Sequence, residues 1–97
     1  MPHYVLLMNW TNQGVAGFKD SVDRAEAART ALASQDIDLG SIYWTIGAYD
    51  LVCVTEAPDE VKLSAALLAL AAQGNLRTTT MRAFTADEFR GVIDAAG

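Results

Sequence analysis

Strand-forming runs that are apolar on both faces follow one another along the chain, separated by stretches whose apolar residues recur at helical spacing. From Tyr4 to Trp10 the chain is rich in Val, Leu and aromatic side chains, which predicts a strand. Alternation sets Tyr4, Leu6, Met8 and Trp10 against His3, Val5, Leu7 and Asn9. Thr11-Asn12-Gln13-Gly14 ends this strand with turn formers and a possible cap, and Val15 to Lys19 reads as a short helical turn. Asp20-Ser21 is placed to cap a helix over Val22 to Ser34, with Val22, Ala25, Ala28 and Leu32 as its inward stripe. Two β-rich runs between Gly40 and Ala57 flank Gly47-Ala48-Tyr49-Asp50 and predict a hairpin. The pairing expected there is Ile46 with Leu51, Trp44 with Cys53 and Ile42 with Thr55, with Tyr43–Val54 and Thr45–Val52 on the opposite face.

Pro58 stops the second run, and Asp59 and Glu60 suit the positive end of a helix that runs to Gln73, before Gly74-Asn75. Leu63, Ala66, Leu67 and Leu70 line one side of that helix; Val61, Ala65, Leu68 and Ala72 line the other. A helix apolar all round calls for cover on both sides. Leu76 to Phe84 is the last strand. Thr85-Ala86-Asp87-Glu88 has capping-box spacing before a helix with Phe89, Val92 and Ile93 on one stripe. The order β-α-β-β-α-β-α predicts an α+β fold, a ferredoxin-like βαββαβ with a C-terminal helix and a four-stranded antiparallel sheet.

Composition narrows the picture. The 97 residues suit one domain, 1–97, and 52% hydrophobic with 20% charged residues suits a packed core. A net charge of −5, with Arg77, Arg82 and Arg90 the only basic residues after Lys62, argues against nucleic acid. No apolar run approaches the length of a membrane span and no signal peptide is recognisable, so a cytoplasmic location is expected. The single Cys53 cannot form an internal disulfide, in keeping with a reducing compartment.

Tyr4-Val5-Leu6-Leu7, Trp10-Thr11-Asn12-Gln13-Gly14, the run Ser41 to Asp50, Glu56-Ala57-Pro58-Asp59 and the run Gly74 to Phe84 together resemble the GYD family over nearly the whole chain. Ala48 stands where such proteins often carry a charged residue. The resemblance implies a ferredoxin-like subunit related to the dimeric α/β-barrel proteins. It implies no activity and no cofactor.

Two faces of the sheet need cover. Helices are expected over Val5, Leu7, Val52 and Val54, which would leave Tyr4, Leu6, Met8, Trp10, Trp44 and Cys53 on an open face with Thr78, Thr80, Arg82 and Phe84. So large an apolar patch marks an interface, and a homodimer or higher oligomer would bury it. The candidate ligand-binding residues are Tyr4, Trp10, Trp44, Thr80 and Arg82, with Gly47, Tyr49 and Asp50 at the rim. Arg82 would anchor an acidic ligand or pair with Glu56 or Asp50. For Gly47 to Asp50, turn chemistry favours a positive φ at Gly47 and a backbone hydrogen bond from Asp50 over a Tyr–Asp chemical pair. His3 has no partner at metal-ligand spacing, Cys53 sits mid-strand where a thiol pKa rises, and no phosphate loop or nucleophile elbow is present. A homodimeric protein that binds a small organic molecule in an apolar, aromatic-lined cavity is therefore expected. The alternatives are a cofactor-independent enzyme acting on an aromatic or polyketide-like substrate, and a structural or regulatory module that docks a partner on the second face of the Asp59–Gln73 helix.

Overall fold

The computed structural model describes residues 1–97. Strand β1 (His3–Trp10) is followed by the short helix α1 (Asn12–Ala16), a single 3-10 turn (Phe18–Asp20) and helix α2 (Ser21–Ala33). Then come β2 (Asp38–Trp44), β3 (Leu51–Glu56), α3 (Glu60–Ala72), β4 (Leu76–Ala83) and α4 (Ala86–Ala96). The four strands form one antiparallel sheet in the order β2-β3-β1-β4, which is the ferredoxin-like arrangement.

The helix ends follow local chemistry. Asp59 caps α3, its Oδ1 accepting from the Lys62 amide at 2.8 Å. At α4 both halves of the capping box form: Thr85 Oγ1 accepts from the Glu88 amide at 3.1 Å, and Glu88 Oε1 accepts from the Thr85 amide at 2.8 Å. Asp20 does occupy the residue before α2, but its side chain makes no capping bond. The inward stripe of α2 is Ser21, Ala28 and Leu32, flanked by Arg24 and Ala25; Val22 points to solvent. Apolar spacing alone places the start of this helix one position out of phase.

The core lies on the sheet face opposite to the one expected from the sequence. Tyr4, Leu6, Met8, Leu51, Cys53 and Thr55 are buried beneath the helices with Leu63, Ala66 and Leu67. Val5, Leu7 and Val52 are half-buried on the open side, beside exposed Tyr43, Val54 and Met81. Volume explains this choice. The inward stripes of α2 and α3 contain Ala25, Ala28 and Ala66, which fill little of the space above a sheet. The strands must therefore supply the large side chains, and Tyr, Leu and Met outweigh Val.

The hairpin is slipped by two residues from the expected pairing: Trp44 faces Leu51, Tyr43 faces Val52 and Ile42 faces Cys53. An even slip keeps every side chain on its face. The connection is a six-residue loop, Thr45 to Asp50, closed by the Thr45 amide donating to the Asp50 carbonyl at 2.8 Å. Gly47 within it has φ of +140°, a conformation that resists a branched side chain.

Candidate functional site

The loop after β1 and the turn between α3 and β4 are fastened together. The Thr11 amide donates to the Asn75 carbonyl at 3.1 Å, and the Thr11 hydroxyl donates to the Gly74 carbonyl. Gln13 Nε2 donates to the Gln73 carbonyl at 2.9 Å and to Asn75 Oδ1 at 3.0 Å. Gly14 lies so close to the Asn75 backbone that a Cβ there would overlap its carbonyl oxygen. From α2, Arg24 reaches back over this knot. Its Nη1 donates to the Gly17 carbonyl at 2.8 Å and its Nη2 to the Gly14 carbonyl at 3.1 Å. Two sequence motifs about sixty residues apart thus form one structural unit at the head of the sheet.

Below that knot the helices stand apart. Helix α2 packs on β2 and α3 packs on β4, leaving a groove of about 330 Å³ walled by Ala27, Ala28 and Ala31 on one side and Ala66 and Ala69 on the other. Arg24, Ala28, Leu32, Leu70 and Gln73 also line a smaller cavity of about 50 Å³ that reaches down to Trp10, Ile42 and Cys53 on the sheet. No carboxylate lines either space, and Arg24 forms no ion pair. The Trp10 indole N–H is buried without a hydrogen-bond partner. The Trp44 indole N–H, by contrast, donates to Ser21 Oγ at 2.9 Å.

The residues expected to share one site divide between two ends of the sheet. Trp10, Trp44 and the loop carrying Gly47, Tyr49 and Asp50 gather at the head. Asp50 Oδ2 accepts from the Trp10 amide at 2.9 Å, and the Asp50 amide donates to the Met8 carbonyl at 2.8 Å. Asp50 therefore ties the loop to β1. The Tyr49 carbonyl accepts from the Thr45 hydroxyl, and Asn9 Nδ2 donates to the Ala48 carbonyl at 2.9 Å. Tyr4 and Arg82 face each other at the foot, six residues along β1 from Trp10, or about 20 Å at strand rise. Thr80 sits between the two groups, opposite Leu6, and is exposed.

Arg82 pairs with neither Glu56 nor Asp50. Its Nη1 donates to the His3 carbonyl at 3.2 Å and to its neighbour's carbonyl at Ala83. The guanidinium carbon lies 4.4 Å from the Phe84 ring centroid and 5.6 Å from that of Tyr4, a cation–π arrangement on an exposed edge strand. Glu56 instead meets His3 Nε2 at 2.7 Å, with Glu88 Oε1 at 3.5 Å from Nδ1 of the same ring. Burial pushes the Tyr4 phenol above its ordinary value, and the Glu60 carboxylate adds to this. Burial likewise raises the Cys53 thiol, whose Sγ lies 3.3 Å from Thr55 Oγ1. A thiol so placed stays protonated and makes a poor nucleophile. No group of three His, Cys, Asp or Glu side chains converges to hold a metal ion, and no helix is long and apolar enough to cross a membrane.

Sequence reasoning missed Arg24, Ser21, Gln73 and Asn75 at the head of the cleft. The signal available for Arg24 was its spacing of four residues before Ala28, which places it on the inward side of α2.

A four-stranded antiparallel sheet with two crossover helices on one face and a helix-walled cleft between them defines a ferredoxin-like α+β protein. The chain belongs to the GYD domain family, whose model matches residues 4–93. It is 29% identical over 84 residues to the glutamine synthetase and cystathionine beta-lyase binding protein of Thermus thermophilus, a match covering 86% of this chain and 88% of that protein. It is also similar to the crystal structure of TTHA0845 from Thermus thermophilus, with a TM-score of 0.55 at 25% identity, covering 89% of this chain and 96% of that one.

Proposed function

We propose that this protein is a self-associating binding subunit whose principal partner is another protein, docked on the outer face of α3. The observation that carries this reading is the exposure of α3's second apolar side: Val61 is 79% exposed and Leu68 72%, with Ala65 and Ala72 beside them. Nothing else in the chain covers that side, and unpartnered apolar surface of this kind is what protein interfaces are made from. The Thermus thermophilus relative is named for binding two enzymes, which supports the same kind of role here.

Self-association would use the open sheet face. That face carries Tyr43, Val52, Val54 and Met81 at its centre, Glu56 at one end and Arg77 at the other. Two copies stacked with their strands opposed would place each Arg77 end over the partner's Glu56 end, a self-complementary arrangement.

The test uses purified glutamine synthetase and cystathionine β-lyase from the same host as this protein. Either enzyme immobilised on a biosensor should retain the parent, and Leu68→Asp should abolish retention while leaving the sheet-face dimer intact by light scattering. Failure of both enzymes to bind, or equal binding by Leu68→Asp, would overturn the docking reading.

A second reading, small-molecule binding, is favoured by the cleft between α2 and α3, whose volume falls at the lower end of the range for ligand pockets. Cofactor-independent catalysis draws no support from Cys53 or Tyr4, whose acidic groups are both held in their neutral forms.

A further inference from the structure

The cleft has a chemistry of its own. Its walls are rows of alanine from α2 and α3, with Leu32 and Leu70 beneath, and alanine rows normally let two helices close on each other. Here they stay apart. The one charged group on the cleft is Arg24, and its two hydrogen bonds go to the neutral carbonyls of Gly14 and Gly17, so its charge has no counter-charge. In a chain of net charge −5, a cleft with no acid and one unbalanced guanidinium stands apart from the rest of the surface. At the inner end, Trp10 contributes a buried N–H donor with no acceptor, a deficit that an incoming acceptor would relieve.

We infer that the α2–α3 cleft binds an apolar monocarboxylate, its alkyl body in the alanine-walled groove and its carboxylate at the inner end, accepting from the Trp10 indole N–H within the field of Arg24. This rests on the small-molecule reading and is independent of enzyme docking on α3. The ligand's two parts answer two separate features: the apolar walls hold the chain, and the unpaired donor with the lone cation selects the acid. An alcohol of the same length would fill the groove equally well but bring no charge.

Decanoate and decanol, titrated below their aggregation concentrations, test the assignment on the full chain. Amide and indole N–H resonances are followed by ¹H–¹⁵N correlation spectra. Decanoate should move the Trp10 indole resonance saturably. The Trp44 indole, bonded to Ser21 on the same cavity, should move less, because its N–H already has an acceptor. Decanol should bind about tenfold more weakly, the worth of one charge-assisted hydrogen bond. Arg24→Gln should remove most of decanoate's advantage over decanol; Arg24→Lys, which keeps the charge, should restore most of it. Ala69→Phe, on the exposed wall of the groove, should weaken both ligands together.

Equal binding of decanol and decanoate to the parent would overturn the carboxylate assignment and leave the small-molecule reading standing. Binding of neither ligand would overturn both. In a Val54→Asp variant, which removes self-association through the open sheet face, a Trp10 indole resonance that still moves with protein concentration alone would show a second copy of this chain in the cleft and would also overturn the inference.

Discussion

Replacing Gly14 by alanine tests whether the knot at the head of the sheet holds the fold together. On helix propensity alone the change inside α1 should stabilise, by up to about 1 kcal/mol. The structure forecasts the reverse. A Cβ at Gly14 would lie inside the contact shell of the Asn75 carbonyl oxygen and 2.9 Å from the carbonyl carbon, where ordinary contacts begin near 3.4 Å. The obstacle is backbone on both sides, so α1 or the α3–β4 turn must move. Four hydrogen bonds cross this gap: two from Thr11, to Gly74 and Asn75, and two from Gln13, to Gln73 and Asn75. Losing two of them at about 1 kcal/mol each, with about 1–2 kcal/mol of overpacking strain, outweighs the propensity gain. The net loss is about 2–3 kcal/mol, or a fall in Tm of about 10–20 °C for a domain of this size. Thermal and urea unfolding followed by circular dichroism measures it. Gly91→Ala in α4 is the matched control, since a Cβ there meets nothing within 4 Å, and it should raise helicity. A Gly14→Ala variant as stable as the parent, or more stable, would refute the claim that close backbone approach at Asn75 requires glycine.

Further outcomes follow from other sites. Val54→Asp puts a carboxylate in the middle of the open sheet face and should convert a dimer to a folded monomer by light scattering; an unchanged assembly would move the interface elsewhere. Gly47→Val should cost about 1 kcal/mol or more, because the loop holds this residue at φ +140°; an unchanged urea midpoint would contradict this. Thr85 hydrogen bonds, the Thr85 backbone bond foremost, hold the Glu88 carboxyl below its ordinary value of 4.5. A lowered folded pKa means stability that is full above about pH 4.5 and lost as pH falls through the folded value. The protection of α4 amides, taken relative to their intrinsic exchange rates, should therefore fall in acid ahead of that of the sheet, and Glu88→Gln should flatten that pH dependence. Buried Cys53 should react with thiol reagents only as fast as the chain opens, so its labelling rate should track stability across variants.

The order and type of every major element were legible in the sequence, because β-rich runs, helical spacing, the stop at Pro58 and the capping box from Thr85 to Glu88 act locally. Which sheet face the helices cover was not. Period two separates Tyr4, Leu6 and Met8 from Val5 and Leu7 but does not say which set goes inward. That choice depends on how much volume the helices bring, and two alanine-rich stripes brought little. The hairpin slip has a similar origin: Gly47 suggests the centre of a tight turn, whereas the Thr45–Asp50 closure makes a wider loop. The candidate site dispersed for the same reason. Tyr4 and Trp10 share a face, yet six residues of strand separate them, and Arg82 found ring faces and carbonyls in place of an acid. The knot between Thr11–Gly14 and Gln73–Asn75 could be quoted as motif but not as contact, since its two halves meet only once the sheet has formed.

Helix α4 has no buried residue, although Phe89, Val92 and Ile93 form a continuous stripe. An isolated helix of 11 residues is marginal in water. Here the capping box, the edge-on contact of Phe84 with Phe89 at 6.3 Å and the approach of His3 to Glu88 hold its first turns, and the later turns bury no side chain fully. The affinity of any surface that covers this stripe is thus scaled by the fraction of time the later turns are already wound. Residues that touch nothing, Gly91 among them, become determinants of binding strength through the unbound ensemble. A substitution that winds α4 more tightly would strengthen association without adding a single contact.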